Sequence, residues 1–308
     1  MTTEERKPQK FSFGYQLITW DFGPLERLEH GLAQVAQQGF GYFELLLGDT
    51  LGSDFARRWL TLEPISEPEV ISDSQIFRRL ALVAGAENAH GIRPSSVYAD
   101  GEWVNPNMWP TELAKIKALT MFLKGCGASI LVCGGGPPHL QYGPDAAPSY
   151  GEFASKLHTI GGFTASCGIR TVYHPHLDTF VETREQLDRL MDELDTNLVG
   201  LCIDPAHFHV KRDDPVDIFR TYASVIDYVH LKNCTGDEST LSGYDRYLAF
   251  SDLGTGSIDV AGIISVLLDA DYGGIVTVEL DYSETPDESC ARSAEYIRDA
   301  LGLELVPR

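Results

Sequence analysis

The chain has 308 residues, of which 43% are hydrophobic, and a formal net charge of −21. This composition supports a large core, and the negative charge argues against a nucleic-acid-binding surface, which needs clustered lysine and arginine. The chain has no apolar run long enough for a membrane span, and its first ten residues lack an apolar signal core. We therefore expect a cytoplasmic protein whose six cysteines are buried thiols.

Eight short apolar runs are predicted to be strands, and a segment with helical periodicity follows each of them. The predicted strands are 11–18, 41–47, 91–98, 129–133, 171–173, 198–203, 226–231 and 274–279. The predicted helices are 25–38, 73–89, 111–126, 149–167, 182–194, 215–223, 258–270 and 286–301. This alternation predicts a parallel sheet, and eight units predict one domain, a (β/α)8 TIM barrel over residues 11–308 after a polar tail at 1–10. The alternative, an open doubly wound sheet, would bring the ends of strands five to eight around one point less readily.

Three segments interrupt this alternation. Residues 50–72 are predicted to extend a loop at the active site. The glycine run 134–136 is predicted to be a tight turn at a strand end, because it lacks the GK[ST] and GxGxxG patterns of phosphate-binding loops. Residues 233–255 are predicted to form a long irregular loop, of which 238–252 fold over the mouth of the barrel.

Four of the later strands lead into side chains that bind metal ions. His174 follows the fifth strand, Asp204 follows the sixth, His230 lies near the end of the seventh and Glu279 lies at the end of the eighth. One such residue alone is usually structural, but the repetition at four successive strand ends favours a shared site. Reactive residues of these barrels lie at the carboxyl ends of the strands, and mixed imidazole and carboxylate ligands suit divalent cations. We predict a divalent metal site, with Mn²⁺ as the first expectation and Co²⁺, Mg²⁺, Fe²⁺ and Zn²⁺ as alternatives.

Further polar residues near these strand ends are candidates for catalysis and substrate binding. His176 and His207 are expected to titrate near neutrality and to act as acid or base, and Glu279 is a candidate base as well as a ligand. A supporting role beside a neighbouring ligand is the alternative for His176. The candidate substrate contacts are Asp178, Lys232 and Arg246. Glu44, inside the second strand, needs partners if it is buried, and is predicted either to support a ligand or to contact the substrate.

These motifs resemble those of the xylose-isomerase-like barrel superfamily of sugar phosphate isomerases and epimerases. The resemblance is most specific at residues 202–233 and 253–281, and it covers most of the chain. The segment VYHPHLDTFVETREQLDRLMDEL at 172–194 resembles the inosose dehydratase branch, in which a Tyr-His-x-His run occupies this place. The amino-terminal third, including YQLITWD, does not match that branch. The barrel subunits of bacterial C-glycoside deglycosidases are a neighbouring comparison.

The resemblance implies that His174, Asp204, His230 and Glu279 bind the metal, with His174 where most epimerases of this superfamily have a glutamate. Those epimerases use two facing glutamates, one to remove a proton and the other to return it on the opposite face. A metal-bound imidazole is a poor base, because its lone pair is committed. The replacement therefore favours a lyase that removes a proton beside a ketone and eliminates a group from the next carbon. The implied substrate is a keto-inositol or a keto-sugar, such as an inosose or a 3-keto-glycoside.

Three other functions are alternatives to the predicted lyase. A metal-dependent epimerase or isomerase is the main alternative, and it requires His176 to serve as the second base. A repair endonuclease of the same superfamily would need more histidines and a basic face, and a non-catalytic binding barrel would not need the four ligands. The expected partner is a small polyol or keto-sugar. A homo-oligomer and a complex with a small partner subunit are both left open.

Overall fold

The computed structural model describes residues 7–20, 25–46, 74–103, 105, 107–136 and 149–307. Within these residues, eight parallel strands close a barrel in the order β1-β10-β7-β6-β5-β4-β3-β2. The barrel strands are β1 (Ser12–Gln16), β2 (Tyr42–Leu46), β3 (Arg93–Ala99), β4 (Ile130–Cys133), β5 (Arg170–Tyr173), β6 (Val199–Ile203), β7 (Ile226–Leu231) and β10 (Ile275–Val278). The predicted TIM barrel is confirmed, and the loop extension predicted at 50–72 lies outside the described residues.

Helices follow the strands and cover the outside of the barrel. They are α1 (Leu25–Gln38), α2 (Ser74–His90), α3 (Trp109–Cys126), α4 (Tyr150–Ser166), α5 (Arg184–Met191), α6 (Pro205–Val210), α7 (Pro215–Tyr222), α8 (Asp245–Leu248), α9 (Val260–Asp269) and α10 (Pro286–Glu295). A 3₁₀ turn, Leu17–Trp20, replaces the end of the first predicted strand, and a π-helical turn, Tyr296–Ala300, replaces the end of the last predicted helix. Among the described residues, no helix has both the length and the apolar composition needed to cross a bilayer.

Two segments contain elements that were not predicted. Helix α6 begins directly after β6, because Asp204 caps its first turn by accepting a hydrogen bond from the Ala206 amide at 2.7 Å. The predicted irregular loop contains a short antiparallel ribbon, in which β8 (Asn233–Cys234) pairs with β9 (Phe250–Ser251), and α8 lies between these two strands. The ribbon begins two residues after β7 ends, so it stands at the barrel mouth.

The glycine run after β4 forms the predicted turn. Gly135 and Gly136 have φ angles of +93° and +83°, which favour glycine. A Cβ atom on Gly135 would lie 2.8 Å from the Gly101 amide nitrogen, so the two loops that follow β3 and β4 touch through their backbones. The turn therefore shapes the barrel mouth by close backbone packing.

The polar tail predicted at residues 1–10 is only partly described. Residues 7–10 lie against the barrel, where the Lys7 ammonium donates to the Asp269 carbonyl at 2.6 Å and Lys10 pairs with Asp271. Gln9 donates to the Glu304 carbonyl, 295 residues along the chain. This part of the tail therefore joins the two ends of the described chain.

A small buried cluster packs separately from the main core and lies beneath the predicted site. It consists of Val132, Val172, Cys202 and Tyr228. Because side chains alternate along a strand, His230 faces the same side of β7 as Tyr228, two residues earlier. The predicted ligand His230 thus stands directly above a packed layer of the strands.

Candidate metal and catalytic site

The structure brings the four predicted metal ligands to one end of the barrel, where all are buried. His174 follows β5, Asp204 follows β6, His230 is the fifth residue of β7 and Glu279 follows β10. Their exposed fractions are 1%, 0%, 0% and 6%. Polar groups that are buried so completely need partners, because burial without them costs free energy.

Three of these residues present ligand atoms that lack a hydrogen bond among the described residues. The atoms are Asp204 Oδ2, His230 Nδ1 and Glu279 Oε2. His230 Nδ1 and Glu279 Oε2 lie 2.8 Å apart, and one ligand atom from each of the three residues lies within 4.8 Å of the others. One divalent cation would bond all three atoms, and this donor set of one imidazole and two carboxylates suits Zn²⁺, Mn²⁺ and similar ions. The residues present therefore fit the predicted cation.

His174 lies between this group and two further histidines. Its ring centroid is 4.7 Å from that of His230, and nitrogens of His174, His176 and His207 also lie within 4.8 Å of one another. Its Nδ1 lies 3.2 Å from the Cys202 carbonyl oxygen, so Nδ1 carries the proton and Nε2 keeps its lone pair. Burial, together with His230 and His176, holds the pKa of His174 well below its usual value. His174 is thus a neutral imidazole that is able to bind a metal.

His207, on α6, is the most buried candidate base. It is 1% exposed, and neither ring nitrogen has a hydrogen bond among the described residues. Its Nε2 lies 3.4 Å from Asp204 Oδ2. Burial and the neighbouring His176 and Lys232 hold the pKa of His207 well below its usual value. A neutral imidazole with an unused lone pair is suited to accept a proton.

His176 packs against His207. The two ring centroids are 3.8 Å apart, and the His176 Nδ1–H donates to the Leu177 carbonyl at 2.7 Å. This hydrogen bond places a proton on Nδ1, so Nε2 is the nitrogen that is available for proton transfer. The two histidines therefore form a pair on one side of the site.

Lys232 supplies a buried positive charge beside the metal ligands. Its ammonium lies 3.1 Å from Asp204 Oδ2, 3.3 Å from Glu279 Oε1 and 2.9 Å from Asp281 Oδ2. Burial lowers the pKa of Lys232, but these three carboxylates raise it well above its usual value. Asp281, which the sequence analysis did not select, follows Glu279 by two residues, and that spacing was the available signal.

The pKa values of the two predicted carboxylate ligands are shifted in opposite directions. Burial raises the pKa of Asp204 to about 6, and Lys232 offsets part of that rise. Burial also raises the pKa of Glu279, but His230 and Lys232 lower it well below its usual value. Glu279 is therefore held in its ionised form, which is the form that binds a cation.

Two predicted substrate contacts, Asp178 and Arg246, pair with each other in the structure. The Arg246 Nη2 donates to both Asp178 oxygens, at 2.9 and 2.8 Å, and the Tyr247 hydroxyl donates to Asp178 at 3.0 Å. Asp178 has a φ of +60°, which is uncommon for a residue with a side chain. Through these bonds the β8–β9 segment reaches across the mouth to the loop after β5.

We expect Arg246→Met to loosen this segment. The pair is partly exposed, so its loss should cost ~1 kcal/mol and speed amide hydrogen exchange at residues 238–249 about fivefold. Exchange measured by mass spectrometry checks this, with Arg220→Met, an exposed arginine on α7, as the control. Equal exchange in the two variants would show that the pair does not hold the segment.

Aromatic rings from two sides complete the site. Phe250, on β9, lies 5.3 Å from the His207 ring and 4.7 Å from the Lys232 ammonium. Tyr98, on β3, lies 5.7 Å from the His174 ring and donates its hydroxyl to Asp100 at 2.5 Å. Neither residue was predicted, because their positions at the site depend on strand pairings that a local sequence pattern does not specify.

Glu44 is fully buried on β2, where it accepts hydrogen bonds from three side chains. The donors are Gln16 Nε2 at 2.6 Å, Ser96 Oγ at 2.6 Å and His230 Nε2 at 3.0 Å. Of the two predicted roles, this placement favours support of a ligand over contact with a substrate.

Comparisons with known proteins agree with this architecture. The family described as "Xylose isomerase-like TIM barrel" matches residues 32–300. An inosose dehydratase of Clostridium perfringens is 32% identical over 162 residues, which cover 49% of this chain and 54% of that protein. The chain thus spans about half the length of this relative. An inosose dehydratase of Geobacillus kaustophilus is 30% identical over 215 residues, 63% of this chain and 69% of that protein.

Solved structures share the fold. The crystal structure of the IOLI protein with a bound zinc atom has a TM-score of 0.70 and 17% identity, and covers 95% of this chain and 98% of that one. At this identity the similarity concerns the fold alone.

Proposed function

Since the chain belongs to the xylose isomerase-like TIM barrel family, we propose that it is a metal-dependent lyase acting on a keto-inositol or keto-sugar. The reaction would remove a proton beside a ketone and eliminate water or an aglycone from the next carbon. Relatives named inosose dehydratase support this assignment. The observation that carries it is the buried, neutral His207: among the described residues, neither of its ring nitrogens nor any of the three neighbouring ligand atoms has a hydrogen-bond partner.

His174, Asp204, His230 and Glu279 would hold the cation, with Mn²⁺ as the first expectation and Zn²⁺, which the IOLI protein binds, as an alternative. A bound divalent cation polarises a ketone oxygen and makes the adjacent C–H more acidic.

The histidine pair would move the proton. His207 takes it from the carbon beside the ketone, the C–O bond of the next carbon breaks, and a C=C bond forms between the two carbons. His176, 3.8 Å from His207 by ring centroids, enters the step with a proton on both ring nitrogens, keeps Nδ1–H on the Leu177 carbonyl and gives the Nε2 proton to the departing oxygen, which leaves as water or as a free hydroxyl compound. The proton gained by one histidine thus balances the proton lost by the other, and no oxidant is needed.

The geometry favours elimination over epimerisation. His176 and His207 lie ring against ring, so they approach a substrate from one side. Inversion of a centre requires a donor on the opposite face, and His174, which stands where the epimerases that this chain resembles have a glutamate, would be committed to the cation.

Mass spectrometry of reactions in deuterated water tests the proposal. The Mn²⁺-loaded protein should convert a keto-inositol or a 3-keto-glycoside to an unsaturated or cleaved product, and the metal-stripped protein should not. A deuterium-labelled epimer alone, with no eliminated product from either substrate, would replace the lyase by an epimerase.

A further inference from the structure

Glu44 stands behind the candidate metal site, on the far side of His230. It is fully buried in β2, and the pairing of β2 with β3 shifts register between Phe43 and Glu44. Such irregularities re-aim a side chain and are frequent next to active sites. Here the Glu44 carboxylate contacts His230 Nε2, while His230 Nδ1 faces Glu279 on the other side of the ring.

A buried carboxylate in this place is costly unless a cation compensates it. Two of its partners, Gln16 and Ser96, are neutral, and both donate to it. The remaining partner is the His230 ring, which lies within 3.0 Å of both Glu44 oxygens. A neutral glutamine would fill the same space with a smaller desolvation cost, so the negative charge itself calls for an explanation.

We infer that Glu44 is a positioning residue that holds His230 with its proton on Nε2, so that the Nδ1 lone pair faces Glu279 and Asp204 for a divalent cation. An imidazole that binds a cation has one nitrogen as ligand and the other as donor, and a carboxylate accepts, so the nitrogen facing Glu44 carries the hydrogen. Carboxylates that orient a metal-binding histidine in this way typically change metal affinity by about 10- to 100-fold. The inference rests on the cation site of the proposed function.

A network of hydroxyl groups fixes the carboxylate. Ser96, which donates to Glu44, also donates to the Tyr228 hydroxyl at 2.8 Å. The Tyr228 hydroxyl in turn lies 2.7 Å from Ser95 Oγ and 2.5 Å from Thr277 Oγ1. These contacts join β2, β3, β7 and β10 below the site, so Glu44 is held in one orientation with respect to His230.

Titration calorimetry with Zn²⁺ and with Mn²⁺ measures the effect. Glu44→Gln should weaken binding about 10- to 100-fold, and Ser96→Ala, which removes one donor to Glu44, should weaken it by less than about tenfold. Thr171→Val is the matched control, since it removes a buried strand hydroxyl that pairs with Thr164, and it should leave affinity unchanged. Equal affinity in Glu44→Gln and in Thr171→Val would overturn the inference.

Nuclear magnetic resonance of ¹⁵N-histidine-labelled, Zn²⁺-loaded wild-type protein tests the tautomer without any change at Glu44. The His230 signals, assigned by their loss in His230→Gln, should show a proton on Nε2. A proton on Nδ1 would overturn the inference even if Glu44→Gln fails to fold. If the wild-type protein binds neither cation, the proposed function fails. If it binds them and Glu44→Gln binds equally well, only the role of Glu44 fails.

Discussion

Glu279→Gln should weaken divalent-cation binding by more than about 100-fold and reduce turnover below detection, because one ligand is worth ~3 kcal/mol or more. The substitution keeps the shape of the side chain and removes its charge. Glu279 Oε2 is one of three buried candidate ligand atoms that have no hydrogen bond within the described part of the chain, and it lies 2.8 Å from His230 Nδ1. An amide in its place presents either a weaker oxygen ligand or an N–H group that cannot bind a cation.

Metal content after gel filtration and titration calorimetry check this expectation. Glu288→Gln is the control, since Glu288 is an exposed glutamate nine residues further along, in the first turn of α10. The fold should survive in the variant, because Lys232 keeps its contacts with Asp204 and Asp281. Wild-type affinity in Glu279→Gln would remove Glu279 from the ligand set, and a parallel fall in thermal stability and affinity would point to structural damage instead.

The barrel could be predicted from sequence because each strand and helix is a local pattern. The strand that ends at Tyr173 and the capped helix that begins at Arg184 can each be predicted from a few neighbouring residues. The ligand candidates followed from the same information, since the end of a parallel strand is also the place where such barrels carry reactive groups. His230 can therefore be selected as a candidate ligand once strand β7 has been predicted.

The partners of these residues could not be predicted in the same way. Glu44 and His230 are 186 residues apart, and Arg246 and Asp178 are 68 residues apart. The ribbon strand Asn233–Cys234 is too short to show alternating hydrophobic and polar residues, and it forms because it pairs with Phe250–Ser251. Contacts of this kind depend on the closed barrel, so a local pattern does not contain them.

His207→Gln should reduce turnover about 10²- to 10⁴-fold, the range for loss of a general acid or base, while cation affinity stays within about threefold of wild type. Turnover and cation affinity are both measured, because loss of a base lowers turnover alone whereas loss of a ligand lowers both. Glu279 is a predicted ligand of the cation, whereas His207 is a neutral imidazole whose ring nitrogens have no hydrogen-bond partner among the described residues. His209→Gln is the matched control, because His209 lies on the same short helix and contacts Ser257 at 3.1 Å, away from the ligands.

The result for His207→Gln distinguishes three assignments: His207 as the base, His176 as the base, and His207 as a metal ligand. Near-wild-type turnover would move the role of base to His176, and His176→Gln should then show the large loss. If both single variants are strongly impaired, the double variant should be hardly worse than either, because residues that act as a unit are not additive. A large loss of cation affinity in His207→Gln would instead make His207 a ligand, since its nitrogens lie within 4.8 Å of those of His174 and His176. In that case His176 alone would be left as a histidine acid or base, and the paired proton transfer that favours elimination would lose its physical basis.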